Sequence, residues 1–293
     1  MAMEEEYERA HKEIVSELRI LHNIGIYCIT ERYEERLISE PNSSLLWIEY
    51  ASELRKQGEL ISARKVFERA LQSFHSMEEE RKNVWIAYFN LECSYGTELT
   101  TNTVLERAVV QNDPLEMHMA MASILSADFY KRTQANELYE RMVEKFREHT
   151  KVWMSYATWL MTTSKESEAR ALLTASLKNL PKKEHITMTQ QFALLEYTSK
   201  HGDRGRMLFE DIIASHPKRL DVWLVYLAQE EKRPVDNMSQ IRSIYERLLK
   251  QKLSTKKAKR VFKKYLDFEK SNGSVQTVKH VKKLARTFVE AKN

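Results

Sequence analysis

A five-residue helical motif recurs along this chain at intervals of 34 to 38 residues. Each copy has a bulky apolar residue, a glutamate, an arginine and two small or apolar residues. Intervals of this size, with one helical hairpin per repeat, are typical of α-solenoids of the tetratricopeptide class. The sequence therefore predicts an all-α fold, an α-solenoid of helical hairpins. The clear copies are Phe67-Glu68-Arg69-Ala70-Leu71, Leu105-Glu106-Arg107-Ala108-Val109, Tyr139-Glu140-Arg141-Met142-Val143 and Tyr245-Glu246-Arg247-Leu248-Leu249, and weaker ones begin at Leu173 and Phe209.

The first helix of most predicted hairpins carries two aromatic residues spaced by three. Residues three or four apart share one face of a helix, and an aromatic stripe that returns from repeat to repeat is typical of a packed core. Stacking on nucleic-acid bases is the alternative, and the recurrence favours the core. Replacing such a tryptophan by alanine costs roughly 3–5 kcal/mol. The predicted repeat core consists of Trp47, Tyr50, Trp85, Tyr88, Trp153, Tyr156, Trp223, Tyr226, Phe262 and Tyr265.

The repeat array is predicted to begin with half a repeat. The segment from Tyr33 to Leu37 matches the second helix of a hairpin and stands 34 residues before the copy at Phe67. No low-complexity tract or flexible linker interrupts the repeats that follow. Residues 28–293 are therefore predicted to form the solenoid, with about seven hairpins of which the first is partial.

Residues 1–27 are predicted to form a separate N-terminal element. Apolar positions recur every three or four residues from 4 to 22, which indicates an amphipathic helix, and Gly25 is expected to loosen the chain after it. This helix either caps the first repeat or offers a seam to another helix. Its apolar positions are Tyr7, His11, Ile14, Leu18 and Leu21.

The net charge of +5 conceals an acidic half and a basic half. Residues 1–150 hold 18 Lys/Arg and 27 Asp/Glu, a balance of −9, and residues 151–293 hold 29 and 15, a balance of +14. Charge asymmetry of this kind bears on binding partners rather than on the fold. We expect the acidic half to receive a basic or helical protein segment on its first helices, those near Trp47, Trp85 and Met117.

The last predicted hairpin concentrates the positive charge. Residues 254–286 hold eleven Lys/Arg against only Asp267 and Glu269. A solvated helix face is the ordinary explanation of a charge run, but an excess of nine charges in one hairpin favours contact with phosphates or with an acidic protein. The candidate contact residues are Lys256, Lys257, Lys259, Arg260, Lys263, Lys264, Lys279, Lys282, Lys283 and Arg286.

No catalytic, cofactor or metal motif accompanies these repeats. The nine histidines include no His-x-x-x-His pair, no Cys-x-x-Cys occurs, and phosphate-binding loops, nucleophile elbows and dinucleotide fingerprints are absent from the sequence. The sequence therefore predicts a protein that is not an enzyme and binds neither cofactor nor metal. Five glutamates recur in the hairpins, and their recurrence favours a structural role over acid–base chemistry: Glu53, Glu92, Glu196, Glu230 and Glu269.

The sequence also indicates the kind of compartment in which the chain acts. Two cysteines, Cys28 and Cys93, lie far apart and suggest a reducing compartment without a disulfide framework. No run of about 18 apolar residues is present, so no membrane contact is predicted. The opening residues, Met1 to Glu6, do not resemble a secretory signal.

The combined pattern resembles the half-a-tetratricopeptide (HAT) repeat. Its elements are Trp-x-x-Tyr in the first helix, Ala-Arg-x-x-Phe-Glu-Arg-Ala-Leu in the second, and a proline before the next tryptophan. Over residues 28–292 the chain further resembles the HAT tail of a nucleolar ribosome-biogenesis family whose members carry OB-fold RNA-binding domains upstream. The segments that carry this resemblance are Pro41-Asn42-Ser43-Ser44-Leu45-Leu46-Trp47, Leu180-Pro181-Lys182-Lys183-Glu184-His185, Pro217-Lys218-Arg219-Leu220-Asp221-Val222-Trp223 and Phe262-Lys263-Lys264-Tyr265-Leu266-Asp267-Phe268-Glu269-Lys270.

The resemblance implies a fragment of a larger factor in pre-rRNA processing and small-subunit assembly. It implies a non-enzymatic scaffold in the nucleus and nucleolus that binds proteins of the pre-ribosomal particle. Contact with pre-rRNA would be auxiliary, at the basic C-terminal hairpin. The alternative is a HAT scaffold of an mRNA 3′-end processing or splicing complex, since HAT arrays occur there too.

Overall fold

The computed structural model describes residues 2–74, 77–199, 201–233 and 237–290 of the chain. These ranges contain helices and turns but no β-strand, which confirms the predicted all-α fold. A short 3-10 helix, Phe129–Lys131, precedes the seventh α-helix. The α-helices are α1 (Ala2–Ser39), α2 (Ser44–Lys56), α3 (Leu60–Ser73), α4 (Glu78–Tyr95), α5 (Glu98–Gln111), α6 (Pro114–Ala127), α7 (Arg132–Lys145), α8 (Thr150–Thr162), α9 (Glu166–Asn179), α10 (Lys182–Thr198), α11 (Gly202–Ser215), α12 (Leu220–Glu231), α13 (Met238–Leu249), α14 (Thr255–Asn272) and α15 (Val275–Glu290).

Two compact units divide the chain, residues 1–146 with α1 to α7 and residues 147–293 with α8 to α15. Within each unit the helices pair in sequence order as hairpins, from α2 with α3 to α6 with α7 in the first unit, and from α8 with α9 to α14 with α15 in the second. The C-terminal part of α1 packs on α2, where the rings of Tyr33 and Tyr50 stack with centroids 5.1 Å apart. Helix α1 thus supplies the second helix of a half repeat.

Local hydrogen bonds define where the helices begin and end. The side chains of Thr97 and Thr100 form a capping box at α5, in which each hydroxyl oxygen accepts the backbone N–H of the other residue, at 3.2 and 2.9 Å. Ser274 and Thr277 repeat this arrangement at α15, at 3.3 and 2.9 Å. Gly58, between α2 and α3, has a φ of +82°, a left-handed conformation that glycine adopts without strain. These residues stop one helix and start the next, so that the chain can fold back on itself.

The hydrophobic core uses the same positions in successive repeats. Nine of the ten predicted core aromatics are buried, and the tenth, Phe262, is half-buried against Phe288. The aromatic residue of a second helix stacks on the tyrosine of the next first helix. Such ring pairs contribute about 0.5–1.5 kcal/mol beyond the burial of their area, and they fix the spacing between repeats. The pairs are Phe67–Tyr88, Phe209–Tyr226 and Tyr245–Tyr265, with centroids 5.2, 5.2 and 4.5 Å apart.

Three of the four repeat tryptophans form an equivalent hydrogen bond. The indole N–H groups of Trp47, Trp153 and Trp223 donate to the backbone carbonyl six residues upstream, at 3.0, 2.9 and 3.0 Å. Trp85 is equally buried, but its indole N–H has no acceptor among the described residues. Helix α4 begins at Glu78, so the backbone six residues before Trp85 is helical and its carbonyl is turned along the helix axis. A buried donor without an acceptor costs about 1–3 kcal/mol. Trp85 is therefore the least favourable of the four tryptophan positions.

The predicted loosening of the chain around Gly25 is wrong. Helix α1 runs from Ala2 to Ser39 without a break. One glycine in a helix costs only about 1 kcal/mol relative to alanine, and the flanking residues carry the helix across it. The division into residues 1–27 and 28–293 stays a prediction. The predicted apolar face of the N-terminal helix lies outside the described side chains, which applies to Tyr7, His11, Ile14, Leu18 and Leu21.

Candidate nucleic-acid interface

The ten candidate contact residues lie on the hairpin of α14 and α15, and all of them are exposed. None is ion-paired with another described residue. The two acidic residues of the hairpin do not neutralise them, since Asp267 lies 3.9 Å from Lys270 and Glu269 is buried. The hairpin therefore presents its positive charge to solvent. The ten residues are Lys256, Lys257, Lys259, Arg260, Lys263, Lys264, Lys279, Lys282, Lys283 and Arg286.

A buried ion pair holds this hairpin on the preceding repeat. Arg242 on α13 donates two hydrogen bonds to Glu269 on α14, at 2.8 and 3.1 Å. Burial raises the pKa of Glu269, but the hydrogen bonds from Arg242 and Thr277 outweigh it, so the pKa lies below its usual value. The stacked rings of Tyr245 and Tyr265 pack beside this pair, and burial raises the pKa of Tyr265 to about 12. The ion pair thus fixes the position of α14, which carries six of the ten basic residues.

The same buried pair recurs at four junctions between repeats. In each, an arginine of a second helix binds a glutamate of the next first helix, and the glutamate is at most 1% exposed. These four glutamates therefore have a structural role. Glu53 differs, because it is only partly buried and pairs with Lys56 at 2.9 Å. The four pairs are Arg64–Glu92, Arg170–Glu196, Arg206–Glu230 and Arg242–Glu269, with nitrogen–oxygen distances of 2.6, 2.8, 2.8 and 2.8 Å.

A second set of arginines links successive second helices, and we call each copy an arginine clasp. The arginine donates to both oxygens of a glutamate one repeat earlier, while its guanidinium lies over the tryptophan of its own hairpin. Bidentate hydrogen bonds and cation–π contact each favour this placement. The shortest nitrogen–oxygen distances are 2.6, 2.6 and 2.5 Å, and the guanidinium carbon lies 5.4, 5.6 and 5.5 Å from the ring centroid. The three clasps are Glu34, Trp47 and Arg69; Glu68, Trp85 and Arg107; and Glu210, Trp223 and Arg247.

The unit of residues 1–146 carries an acidic cluster on its second helices. Glu98 of α5 and three glutamates of α7 line a groove around Arg141, and all of these side chains are exposed. The predicted protein-binding surface on the first helices near Trp47, Trp85 and Met117 stays a prediction, and this cluster lies apart from those helices, on α5 and α7. Four carboxylates against one guanidinium leave a local excess of negative charge. The cluster consists of Glu98, Glu137, Glu140, Glu144 and Arg141.

Membrane-spanning helices are absent from the described ranges, because every helix in them is too short or too polar to cross a bilayer. Likewise, within those ranges no group of three or more histidine, cysteine, aspartate or glutamate residues is arranged to hold a metal ion.

This chain is similar to one family model and to several known proteins. The family model of the PRP39 N-terminal HAT repeat matches residues 185–289. The rRNA biogenesis protein rrp5 of Schizosaccharomyces pombe is 41% identical over 258 residues, which are 88% of this chain and 15% of that protein. The human RRP5 homologue is 38% identical over 262 residues, 89% of this chain and 14% of that protein. Human Crooked neck-like protein 1 is 23% identical over 239 residues, 81% of this chain and 24% of that protein.

The high identity to the RRP5 proteins extends over nearly the whole array. The chain belongs to the RRP5 family. It spans about one seventh of the length of the RRP5 proteins it matches, as the shares of 15% and 14% show. The match of the HAT family model to residues 185–289 identifies the repeats as HAT repeats, and the fold is a HAT-repeat α-solenoid.

The sequence indicated the glutamates at the junctions between repeats but not their arginine partners. The partners stand 24 to 28 residues apart, on different hairpins, so no local pattern joins them. A signal was present nonetheless. Arg64, Arg170 and Arg206 each follow a small buried residue near the start of a second helix, and each is followed by a buried glutamate in the next hairpin.

Proposed function

We propose that this RRP5-family chain is a non-catalytic scaffold in pre-rRNA processing and small-subunit assembly, acting in the nucleus and nucleolus. The relatives with 38–41% identity are named for RRP5 and rRNA biogenesis, and the chain corresponds to one segment of them. An array of helical repeats offers extended surfaces for partners. Four of its recurring glutamates are buried and have structural roles. Its partners in this proposal are proteins of the pre-ribosomal particle, with pre-rRNA as an additional ligand.

The basic hairpin is the proposed RNA contact, and it carries this proposal. Its ten exposed cations have no carboxylate partner among the described residues, so counterions neutralise them in the free protein. Binding to phosphates releases those counterions, which favours association and makes it depend on salt. Lysine–phosphate contacts position an RNA but do not read its bases. We therefore assign the hairpin an auxiliary role beside other RNA-binding parts of the full-length protein.

The acidic cluster on α5 and α7 supports a protein-binding role for the first unit. Phosphate would be repelled from four carboxylates, whereas a basic protein segment would be attracted. The opposite charges of the two units thus favour two kinds of ligand on one scaffold.

A HAT scaffold of the splicing or mRNA 3′-end machinery is the alternative function. The model of the PRP39 N-terminal HAT repeat matches part of this chain, and Crooked neck-like protein 1 is also similar to it. The identity to Crooked neck-like protein 1 is 23%, against 41% and 38% for the RRP5 proteins. The RRP5 relatives therefore favour the rRNA role.

Fluorescence anisotropy with a labelled single-stranded RNA tests the RNA contact. If four cations neutralise phosphates, the logarithm of the binding constant falls against that of salt concentration with a slope of about −3, since each contact adds roughly 0.7. Reversing Lys259, Lys263 and Lys282 to glutamate is expected to weaken binding to all RNA sequences alike and to flatten this slope.

A matched variant separates hairpin contact from a general effect of charge. Lys178, Lys182 and Lys218 are exposed lysines of the same unit outside the hairpin. Their reversal to glutamate changes the net charge by the same amount as the hairpin variant does. We expect it to preserve most of the affinity for RNA. Equal binding by the hairpin variant and the parent protein would overturn the RNA contact.

A further inference from the structure

An apolar groove of about 410 Å³ lies at the last junction between repeats, between α13, α14 and α15. Its walls include Phe262 and Phe288, whose rings meet edge to face with centroids 5.7 Å apart. Leu249 and Leu284 complete the apolar lining, and all four side chains are only half-buried. The groove thus leaves two leucines and two aromatic rings in contact with solvent.

The groove lies at the position that the arginine clasp occupies at three other junctions. Each clasp arginine follows a buried valine or isoleucine by three residues, as Arg69 follows Val66 and Arg247 follows Ile244. In α15 the residue three after buried Val281 is Leu284.

The glutamate of the clasp is still present at this last junction. Glu246 directly follows Tyr245, as Glu34 and Glu68 follow the aromatic residue of their helices. The carboxylate of Glu246 is exposed and lines the groove, and no arginine among the described residues pairs with it. The last junction therefore has the glutamate of the clasp but not its arginine.

The first junction shows what the clasp does to the same site. A groove of about 390 Å³ there is lined by Glu34, Trp47, Arg69 and Ser73 together with Leu37, Ile38 and Gln72. Arg69 covers the indole ring and neutralises Glu34, so that this groove is polar. At the last junction leucine replaces the arginine, phenylalanine replaces both Trp47 and Ser73, and the groove becomes apolar.

Three lysines and one glutamate surround the last groove, so its rim carries a net positive charge. Lys250 and Glu246 line the groove, and Lys279 and Lys283 are exposed on the turn of α15 that carries His280 and Leu284. None of the three lysines is ion-paired with a described residue. An apolar floor with a basic rim complements a helix that has apolar anchors on one face and carboxylates beside them.

We propose that this groove binds an acidic amphipathic helix of a partner protein, with leucine or aromatic anchors spaced as i, i+4 and i+7. The anchors pack against Phe262, Leu284 and Phe288, and the carboxylates of the helix meet the basic rim. RNA fits the groove poorly, because the edge-to-face rings leave no flat platform for a base and the apolar walls offer no hydrogen bonds. The inference rests on the proposed scaffold role and names the chemical class of one of its partners.

The chain itself suggests the variant that closes the groove. Leu284→Arg with Phe288→Ser copies the arginine and serine of the first junction and gives Glu246 the missing guanidinium. The fold is expected to stay intact, since an equivalent arginine–glutamate pair exists three times elsewhere in the chain. The midpoint of the thermal unfolding transition checks this. The variant adds a positive charge, so its affinity for RNA is expected to equal or exceed that of the parent. Phe288→Ser alone serves as a second variant that removes one aromatic wall of the groove without any change of charge.

A phage-displayed library of helical peptides, selected on the full chain and counter-selected on the double variant, supplies the probe. We expect enrichment of acidic peptides with leucine or phenylalanine at i, i+4 and i+7. In anisotropy titrations the enriched peptide is expected to bind the double variant roughly tenfold or more weakly than the parent, the effect of losing central anchors. Phe288→Ser is expected to give an intermediate loss.

Several results would overturn the proposal. One is a selection that enriches no peptide over the counter-selected variant, and another is enrichment of basic or purely polar peptides. A parent chain whose oligomeric state is concentration-dependent and becomes monomeric in the double variant would show that a second copy occupies the groove. Loss of RNA binding in the double variant would assign the groove to RNA. The scaffold role would survive each of these results if other protein partners still bound elsewhere on the chain.

Discussion

At the residue scale, the most informative feature is how the charges of the repeats are neutralised. The sequence shows glutamates at recurring positions, and this suffices to predict that they are structural. It does not show which arginine meets which glutamate, because the partners belong to different hairpins and are brought together only by packing. The structure adds that Glu92, Glu196, Glu230 and Glu269 are almost completely buried.

Breaking one buried pair is predicted to destabilise the protein strongly. Arg206→Leu removes the guanidinium that is hydrogen-bonded to buried Glu230, which costs about 3–5 kcal/mol. The remaining hydrogen bonds from Tyr197 and Asn237, and the guanidinium of Arg233 at 3.6 Å, favour the lower end. Urea denaturation followed by circular dichroism measures the loss. Arg219→Leu is the control, because Arg219 pairs with Asp221 on the surface and such pairs are worth about 1 kcal/mol or less. Equal losses in both variants would contradict the structural assignment of Glu230.

The ion pairs also predict how stability depends on pH. The hydrogen bond from Arg69 lowers the pKa of Glu34, and that from Arg107 lowers the pKa of Glu68. A carboxyl whose pKa is lower in the folded state stabilises the fold above its unfolded pKa of about 4.3, and the gain is lost as the pH falls through the folded pKa. The free energy of unfolding is therefore expected to fall below about pH 4. Glu68→Gln is expected to reduce this dependence, and a stability unchanged between about pH 6 and about pH 3 would refute the explanation.

At the element scale, periodicity predicts the helices well and predicts their interruptions less well. Repeated apolar positions identify the hairpins because each helix must bury one face. A single glycine is weaker information, since its effect depends on what surrounds it. Gly25 lies in an unbroken helix with no atom within 4 Å of an added Cβ, whereas at Gly205 a Cβ would lie 2.5 Å from the ring of Tyr197. Only the structure distinguishes these two positions.

Two glycine substitutions are predicted to have opposite effects. Gly25→Ala is expected to stabilise the protein by about 0.5–1 kcal/mol, because alanine restricts the unfolded chain and meets no neighbour. Gly205→Ala is expected to destabilise it, because α10 and α11 must separate to admit the methyl group. Thermal melts of the two variants give the comparison. A stabilising Gly205→Ala would show that the two helices pack less closely than described here.

At the scale of the whole molecule, the sequence predicts the fold class, the two charge regimes and the family likeness. The sequence does not reveal the apolar groove. The significance of Leu284 emerges only when its position in α15 is aligned with the positions of the clasp arginines in the other second helices. Matching requires the register of α15, which a basic sequence with few buried residues does not determine. The departure from the repeat pattern at Leu284 is therefore the observation from which we propose a binding groove.

The central claim is that the basic hairpin of an RRP5-family scaffold contacts pre-rRNA while other surfaces of the chain hold proteins. Ultraviolet crosslinking of the full-length protein in cells, followed by sequencing of the bound RNA and mass spectrometry of the crosslinked peptides, tests it directly. The account predicts RNA crosslinks on peptides from residues 254–286, pre-rRNA as the bound RNA, and their loss when Lys259, Lys263 and Lys282 are reversed to glutamate. Crosslinks to splicing RNAs or mRNA 3′ ends, or RNA crosslinks confined to residues 1–146, would contradict it.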